Sequence, residues 1–183
     1  MEMIDLIAVN ASPSFPSRTR AIAELAVDLA GGRLLDLTSI DAEALLLRRR
    51  HPSLDLALEA VTAARTVLLA TPVYRATYSG ILKTFLDALP QAGLAGKACV
   101  LVATGGSQAH FLSLDTGLRA VVASVKGCSV PTVVYASPED FDAHGRPRAR
   151  VRAALEEALG EARSVSRALA TDPAISPGRA ERR

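Results

Sequence analysis

The residues best suited to chemistry lie between positions 10 and 19. There Asn10-Ala11-Ser12-Pro13-Ser14-Phe15-Pro16-Ser17-Arg18-Thr19 follows a β-like apolar run and leads into a helix-patterned stretch. Ser12, Ser14, Ser17 and Thr19 supply hydroxyls and Arg18 a fixed positive charge. They fall where a helix's first N–H groups lack partners and its macrodipole favours an anion. Such a loop suits a terminal phosphate. The same serines also suit ordinary turns and a helix cap, so the loop alone leaves both readings open. The chain has neither G-x-G-x-x-G nor G-x-x-x-x-G-K-[ST], which disfavours a Rossmann-type dinucleotide site and a nucleoside-triphosphate loop.

Two further stretches stand out. Thr71-Pro72-Val73-Tyr74-Arg75-Ala76-Thr77-Tyr78-Ser79-Gly80 offers backbone and aromatic groups able to wall a planar ring. In Ala103-Thr104-Gly105-Gly106-Ser107 two glycines permit close backbone approach to a ligand. Each also reads as a plain turn. Together with a phosphate loop they would hold a ring system along an edge and a face, which needs N–H donors rather than paired acids and bases. No catalytic side chain is therefore assigned, and no metal-ligand set. Cys99 sits in an apolar run, Cys128 follows a glycine, and the two form no C-x-x-C pair, so both read as buried thiols.

The elements that must position these loops follow from the hydrophobic pattern. Apolar runs at Ile4 to Val9, Arg33 to Leu37, Thr66 to Ala70, Ala98 to Val102 and Pro131 to Tyr135 alternate with helix-patterned stretches, as in a parallel sheet. Val67 to Ala70 and Cys99 to Val102 are apolar at every position, which predicts strands covered on both faces. Ser17 is placed to cap a helix carrying Ala21, Ile22, Leu25 and Leu29, with Gly31-Gly32 as its stop. Ser79 similarly precedes a stripe of Ile81, Leu82, Phe85, Leu86 and Leu89 that Pro90 ends. Further helices are expected from Leu112 to Val125 and from Arg148 to Leu169, while Thr38 to Leu58 admits a short helix at Asp41 to Leu47 and another near Ser53. In open sheets of this kind ligands bind beyond the carboxyl ends of the strands, where the three singled-out loops fall.

Composition narrows the functional classes. The 183 residues suit one α/β domain, expected over 1–170, with a Pro-, Gly- and Arg-rich tail at 171–183 expected to be disordered. No apolar run approaches the roughly 20 residues needed to span a bilayer, and the N-terminus lacks the features of a secretory signal, so a cytoplasmic protein without a membrane partner is expected. A net charge of +2, scattered arginines, no Trp and only 3 Tyr and 4 Phe argue against nucleic acid.

In order along the chain, Ser12-Pro13, Phe15-Pro16-Ser17-Arg18, Ala70-Thr71-Pro72-Val73-Tyr74, Tyr78-Ser79-Gly80, Leu82-Lys83 and Ala103-Thr104-Gly105-Gly106, followed by His110, resemble the NADPH-dependent FMN reductase family. The likeness covers roughly Ile4 to Asp142 and is best to the reductases of two-component alkanesulfonate monooxygenase systems. Tyr135-Ala136-Ser137 and Asp140-Phe141-Asp142 resemble the methanesulfonate-associated branch. The resemblance implies a flavodoxin-like, doubly wound, five-stranded parallel sheet with helices on both faces. It implies phosphate contacts at Ser12, Ser17, Arg18 and Thr19, and isoalloxazine contacts at Pro72, Val73, Tyr74, Thr104, Gly105 and Gly106. It further implies FMN with NADPH or NADH, a homodimer or homotetramer, and a flavin-dependent monooxygenase as recipient of reduced flavin. Ala11 and Ser14 depart from the family's Gly-Ser and arginine in the first loop. Relatives often carry an inserted Tyr or His forming a π-bulge at the tetramer interface; Thr116 stands at the matching position, and loss of the bulge would favour permanently held FMN. The competing readings are an FMN-bound quinone or azo reductase, a flavodoxin-like electron carrier, and a flavin-free structural domain.

Overall fold

The computed structural model describes residues 6–107, 110–112 and 114–171. Its strands are β1 (Leu6–Asn10), β2 (Arg33–Asp36), β3 (Thr66–Tyr74), β4 (Thr77–Tyr78), β5 (Ala98–Thr104) and β6 (Cys128–Ala136). β2, β1, β3, β5 and β6 lie side by side in that order, all parallel. Counted among the parallel strands alone this is the 2-1-3-4-5 order of a flavodoxin-like sheet, whose switch point lies between β1 and β3. Every residue of β1 and β5 is buried, as their unbroken apolar runs predict.

The pleat sends alternate side chains to opposite faces. Ile7, Val9, Val67, Leu69, Cys99 and Leu101 pack toward one core, and Leu6, Ala8, Leu68, Ala70, Val100 and Val102 toward the other. Helices α1 (Arg18–Ala30) and α6 (Ala149–Thr171) cover the second face. The first is covered by α2 (Ala42–Leu47), α3 (Pro52–Ala63), α4 (Gly80–Ala88) and α5 (Arg119–Ser124).

The capping signals act as read. Ser17 Oγ accepts from Arg20 N at 3.1 Å, and Gly31 ends α1 at φ 74°. Gly32 is obligatory: at φ 114°, a Cβ there would lie 2.2 Å from the Leu6 carbonyl oxygen. Ser79 caps α4, which stops at Ala88 before Pro90.

Cys99 is buried but Cys128 is exposed, against the expectation for both, and two further expectations need correction. The parallel sheet has its five strands, but β3 runs on to Tyr74 and turns through Arg75 and Ala76, at φ 52° and 64°, into the antiparallel β4. Two left-handed residues define the turn type whose twist suits a hairpin, yet it is usually built from Asn and Gly, so the sequence carried no hairpin signal. The second concerns Leu112 to Val125, which is not one regular helix: Leu114–Leu118 is wound as a π-helix before α5 begins. The bulge expected to be lost at Thr116 is therefore present. Residues 1–5 and 172–183, including nearly all of the expected tail, lie outside the described residues.

Candidate functional site

At the carboxyl ends of the strands lies a cleft of about 840 Å³, within the roughly 300–1,000 Å³ typical of ligand pockets. All the site residues expected from the sequence border it. Ser12, Ser17, Arg18 and Thr19 come from the loop after β1 and the first turn of α1; Pro72, Val73 and Tyr74 from the end of β3; Thr104, Gly105 and Gly106 from the end of β5. A fourth wall, Ala136 to Pro138 together with Ala143 to Gly145, was not assigned to the site from the sequence. Among the described residues no group of three or more His, Cys, Asp and Glu gathers to hold a metal.

Hydroxyls tie the walls together. Ala11 N–H extends the β1–β3 ladder by donating to Ala70 O at 2.9 Å. Asn10 Oδ1 accepts from Ser12 N and Ser12 Oγ from Ser14 N, each at 3.3 Å, which curls the loop back over the strand end. Buried Ser79 donates from Oγ to Ala11 O at 2.8 Å, while its N–H donates to Thr71 Oγ1 at 2.9 Å. One side chain therefore caps α4 and joins the first loop to the second. Thr19 Oγ1 and Thr104 Oγ1, both buried, meet at 2.6 Å and link the first loop to the third. At the exposed mouth Ser14 Oγ and Tyr74 Oη lie 3.3 Å apart. Thr71 and Ser79 act here as tethers, a role their positions in the sequence did not reveal.

Gly105 has a different reason from the one expected. A Cβ there would come within 2.1 Å of Tyr135 Oη, so its missing side chain makes room for the protein's own tyrosine rather than for a ligand. Tyr135 donates to Ser107 O at 2.6 Å and meets Phe111 edge-on at 6.3 Å, bracing the loop that carries Gly105 and Gly106. Burial holds its phenol above the usual tyrosine range. At Gly106 an added Cβ would meet nothing within 4 Å. The fourth wall is pinned by Asp140, whose Oδ2 accepts from Ser137 N and Oγ at 2.9 Å each and which pairs with Arg150. The Arg150 hydrogen bond, opposed by burial, holds the Asp140 carboxyl down at about 2.

The cleft's charge is concentrated at α1. The Arg18 guanidinium lies 5.5 Å from the Phe141 ring centroid. Arg20 is committed to Glu24 at 2.7 Å and to Asp36, and the Glu24 bond first of all raises its pKa. Gly117, in the π segment, packs against the hairpin: its Cβ would sit 3.3 Å from Tyr78 Cε1. Thr116 returns its hydroxyl to Leu112 O at 2.9 Å, as a threonine in a helix commonly does. A second hollow of about 360 Å³, bordered by Arg65, Arg163 and Arg167, lies at the opposite end of the sheet and shares no residue with the cleft.

The donor set fits FMN. Hydroxyls, an arginine and a helix N-terminus meet at one end of the cleft, and a proline, a valine, a tyrosine and a glycine-bearing loop form its walls. Fold and site together define a flavodoxin-like oxidoreductase architecture with a place for a phosphorylated planar ligand at the sheet's switch point. Residues 4–142 match the NADPH-dependent FMN reductase family, and the chain belongs to it. It is similar to the FMN reductase (NADPH) of Escherichia coli strain K12, at 37% identity over 150 residues and 78% of each chain. It is also similar to the NADH-dependent FMN reductase SfnF of Pseudomonas putida, at 34% over 152 residues, 78% of this chain and 82% of that one. Among solved structures, the apo form of the NADH:FMN oxidoreductase EMOB superposes with a TM-score of 0.79 at 33% identity, covering 94% of this chain and 93% of that one. The enzyme is thus an oxidoreductase that uses FMN and a nicotinamide nucleotide.

Proposed function

We propose that this chain reduces FMN with NADPH or NADH and releases it to a flavin-dependent monooxygenase, of alkanesulfonate type, in sulfur acquisition. The observation that carries the reading is the convergence of three sequence-distant loops, each matching the family, on one cleft at the N-terminus of α1. In this reading residues 1–170 act as one domain of a cytoplasmic homodimer or homotetramer. No helix among the described residues is long and apolar enough to cross a membrane.

FMN, when bound, supplies the hydride-accepting ring. Ser12, Ser17, Arg18 and Thr19 hold its phosphate, assisted by the α1 N-terminus. Pro72, Val73 and Tyr74 would wall the ring, and the loop from Thr104 to Gly106 would lie along its polar edge; Gly105 N–H is spent on Ala136 O at 3.0 Å, which leaves the Gly106 N–H as the donor that would stabilise developing negative charge. The tethers at Ser79 and Thr19–Thr104 keep these groups in place before any ligand arrives, so little reorganisation accompanies reaction. The π segment at Leu114–Leu118 removes the ground that a lost bulge would have given the competing reading of permanently held flavin.

The test is a visible spectrum of the protein as isolated, followed by steady-state NADPH and NADH oxidation with and without free FMN. A colourless protein whose turnover saturates with added FMN supports the proposal. A yellow protein that needs a quinone or dye refutes it.

A further inference from the structure

We propose that His144 is a phosphate-binding residue of the flavin site, a role that rests on the FMN-reductase reading above. The motif is charge balance. A terminal phosphate ester carries about −1.5 to −2 charges at pH 7, whereas the α1 N-terminus supplies roughly +0.5 and Arg18 one full charge. Arg20 adds nothing to this sum, because it is shared between the carboxylates of Glu24 and Asp36. The first loop carries Ser14 but no further cation. Together these come to about +1.5, which meets the lower end of that range and leaves up to about half a charge uncompensated at the upper end; the fourth wall provides a further donor.

His144 borders the same cleft as Ser17 and Arg18. Its turn is tightly built: Asp142 Oδ1 accepts from His144 N at 2.8 Å and from Arg146 N at 2.9 Å. Asp142 N–H donates to Arg146 O, and Gly145 N–H to Asp142 O, each at 3.0 Å. Gly145 takes φ 75°, and a bridge between Phe141 and Pro147 closes the base. The contact of Arg18 with the Phe141 ring sets this turn beside the first turn of α1. The imidazole is exposed, and among the described residues it has no hydrogen-bond partner of its own. Asp142 spends its side chain on backbone N–H groups, and Glu24 is held by Arg20. An imidazole N–H donates to a phosphate oxygen whether the ring is charged or neutral, so the turn presents a ready donor to the phosphate end of the cleft.

FMN and riboflavin differ by that phosphate, which makes the pair a direct probe. Both are titrated, without nicotinamide nucleotide, against the wild type, His144→Gln, His144→Lys and Arg18→Gln, at pH 7 and low salt. His144→Gln is expected to weaken FMN about five- to tenfold and leave riboflavin unchanged, while His144→Lys stays within about twofold of wild type. Three results overturn the assignment: unchanged FMN affinity in His144→Gln while Arg18→Gln weakens it, equal weakening of FMN and riboflavin, or a lysine variant as weak as the glutamine one. If the wild type binds neither flavin, and Arg18→Gln changes nothing, the flavin-site reading itself falls and His144 with it.

Discussion

Replacing Gly105 with alanine tests whether the loop after β5 is shaped by the protein or by its ligand. The new Cβ would stand 2.1 Å from Tyr135 Oη and 3.1 Å from Cζ, distances that force the ring to move. Tyr135 is only 4% exposed, so the ring cannot simply swing out into solvent without uncovering the core around it. Moving it breaks the 2.6 Å bond to Ser107 O, worth about 0.5–1.5 kcal/mol because that exposed carbonyl still accepts from His110 N, and disturbs the Phe111 edge contact, worth about 0.5–1.5 kcal/mol. Gly105→Ala is therefore expected to cost about 1–3 kcal/mol. Tyr135→Phe alone costs about 0.5–1.5 kcal/mol through the lost hydroxyl. In the double variant the closest clash is gone, and the 3.1 Å contact with Cζ and the 3.4 Å contact with Val73 Cβ remain. Its cost should fall at least about 1 kcal/mol short of the sum, well beyond the 0.3–0.5 kcal/mol within which independent sites add. The chain has no tryptophan, so urea unfolding is followed by far-UV circular dichroism. Additive costs, or a Gly105→Ala variant within about 0.5 kcal/mol of wild type, would refute the argument.

Asp140→Asn should lose about 1–2 kcal/mol at pH 7, allowing for the exposure of Arg150. Because the folded carboxyl is held down at about 2 against an ordinary 3.8, its stabilisation is complete above about pH 4 and disappears as the pH falls toward 2. Urea midpoints of wild type and variant should accordingly converge in acid, and parallel curves would count against the pairing. Ser79→Ala removes the α4 cap and the bond to Ala11 O, so a loss of about 1–2 kcal/mol is expected, together with weaker FMN binding in a fluorescence titration. Unchanged FMN affinity would separate the cap from the tether. In Gly117→Ala the gain in helix propensity, about 1 kcal/mol, meets a Cβ only 3.3 Å from Tyr78 Cε1. The variant should change FMN affinity more than thermal midpoint, and the reverse would unlink the π segment from the hairpin.

What the sequence revealed and what it hid divide along physical lines. The central strands were legible because burial on both faces leaves no polar residue to break an apolar run, as at Val67 to Ala70. The starts of α1 and α4 were legible because Ser17 and Ser79 make the local bonds their type favours. β4 escaped because Arg75 and Ala76 occupy left-handed conformations that neither residue type advertises. The π segment escaped because an extra residue in a helical turn alters register without altering composition. The fourth wall was quoted as family likeness at Tyr135 to Ser137 but drew no site role. Its members act through non-local contacts, Tyr135 on Gly105 and Arg150 on Asp140, which no spacing along the chain encodes.

One such contact changes how the cleft's donors are counted. Thr19 was assigned to the phosphate and Thr104 to the ring as separate contacts, yet their hydroxyls share a 2.6 Å hydrogen bond in a buried position. Two hydroxyls hold two protons, and one is consumed between them. The pair therefore offers the ligand one hydroxyl donor, directed to the phosphate end or to the ring end, but not both. If Thr19 donates to phosphate, Thr104 donates to Thr19 and meets the ring only as an acceptor. A phosphate accepts and does not donate when fully ionised, so in the proposed site phosphate binding would select this orientation and leave the ring's polar edge to the Gly106 N–H, since Gly105 N–H is bonded to Ala136 O. The ring and the phosphate would thereby be coupled through a single proton position: Thr104→Val, which leaves Thr19 free to rotate, should weaken FMN more than riboflavin, although Thr104 is assigned to the ring.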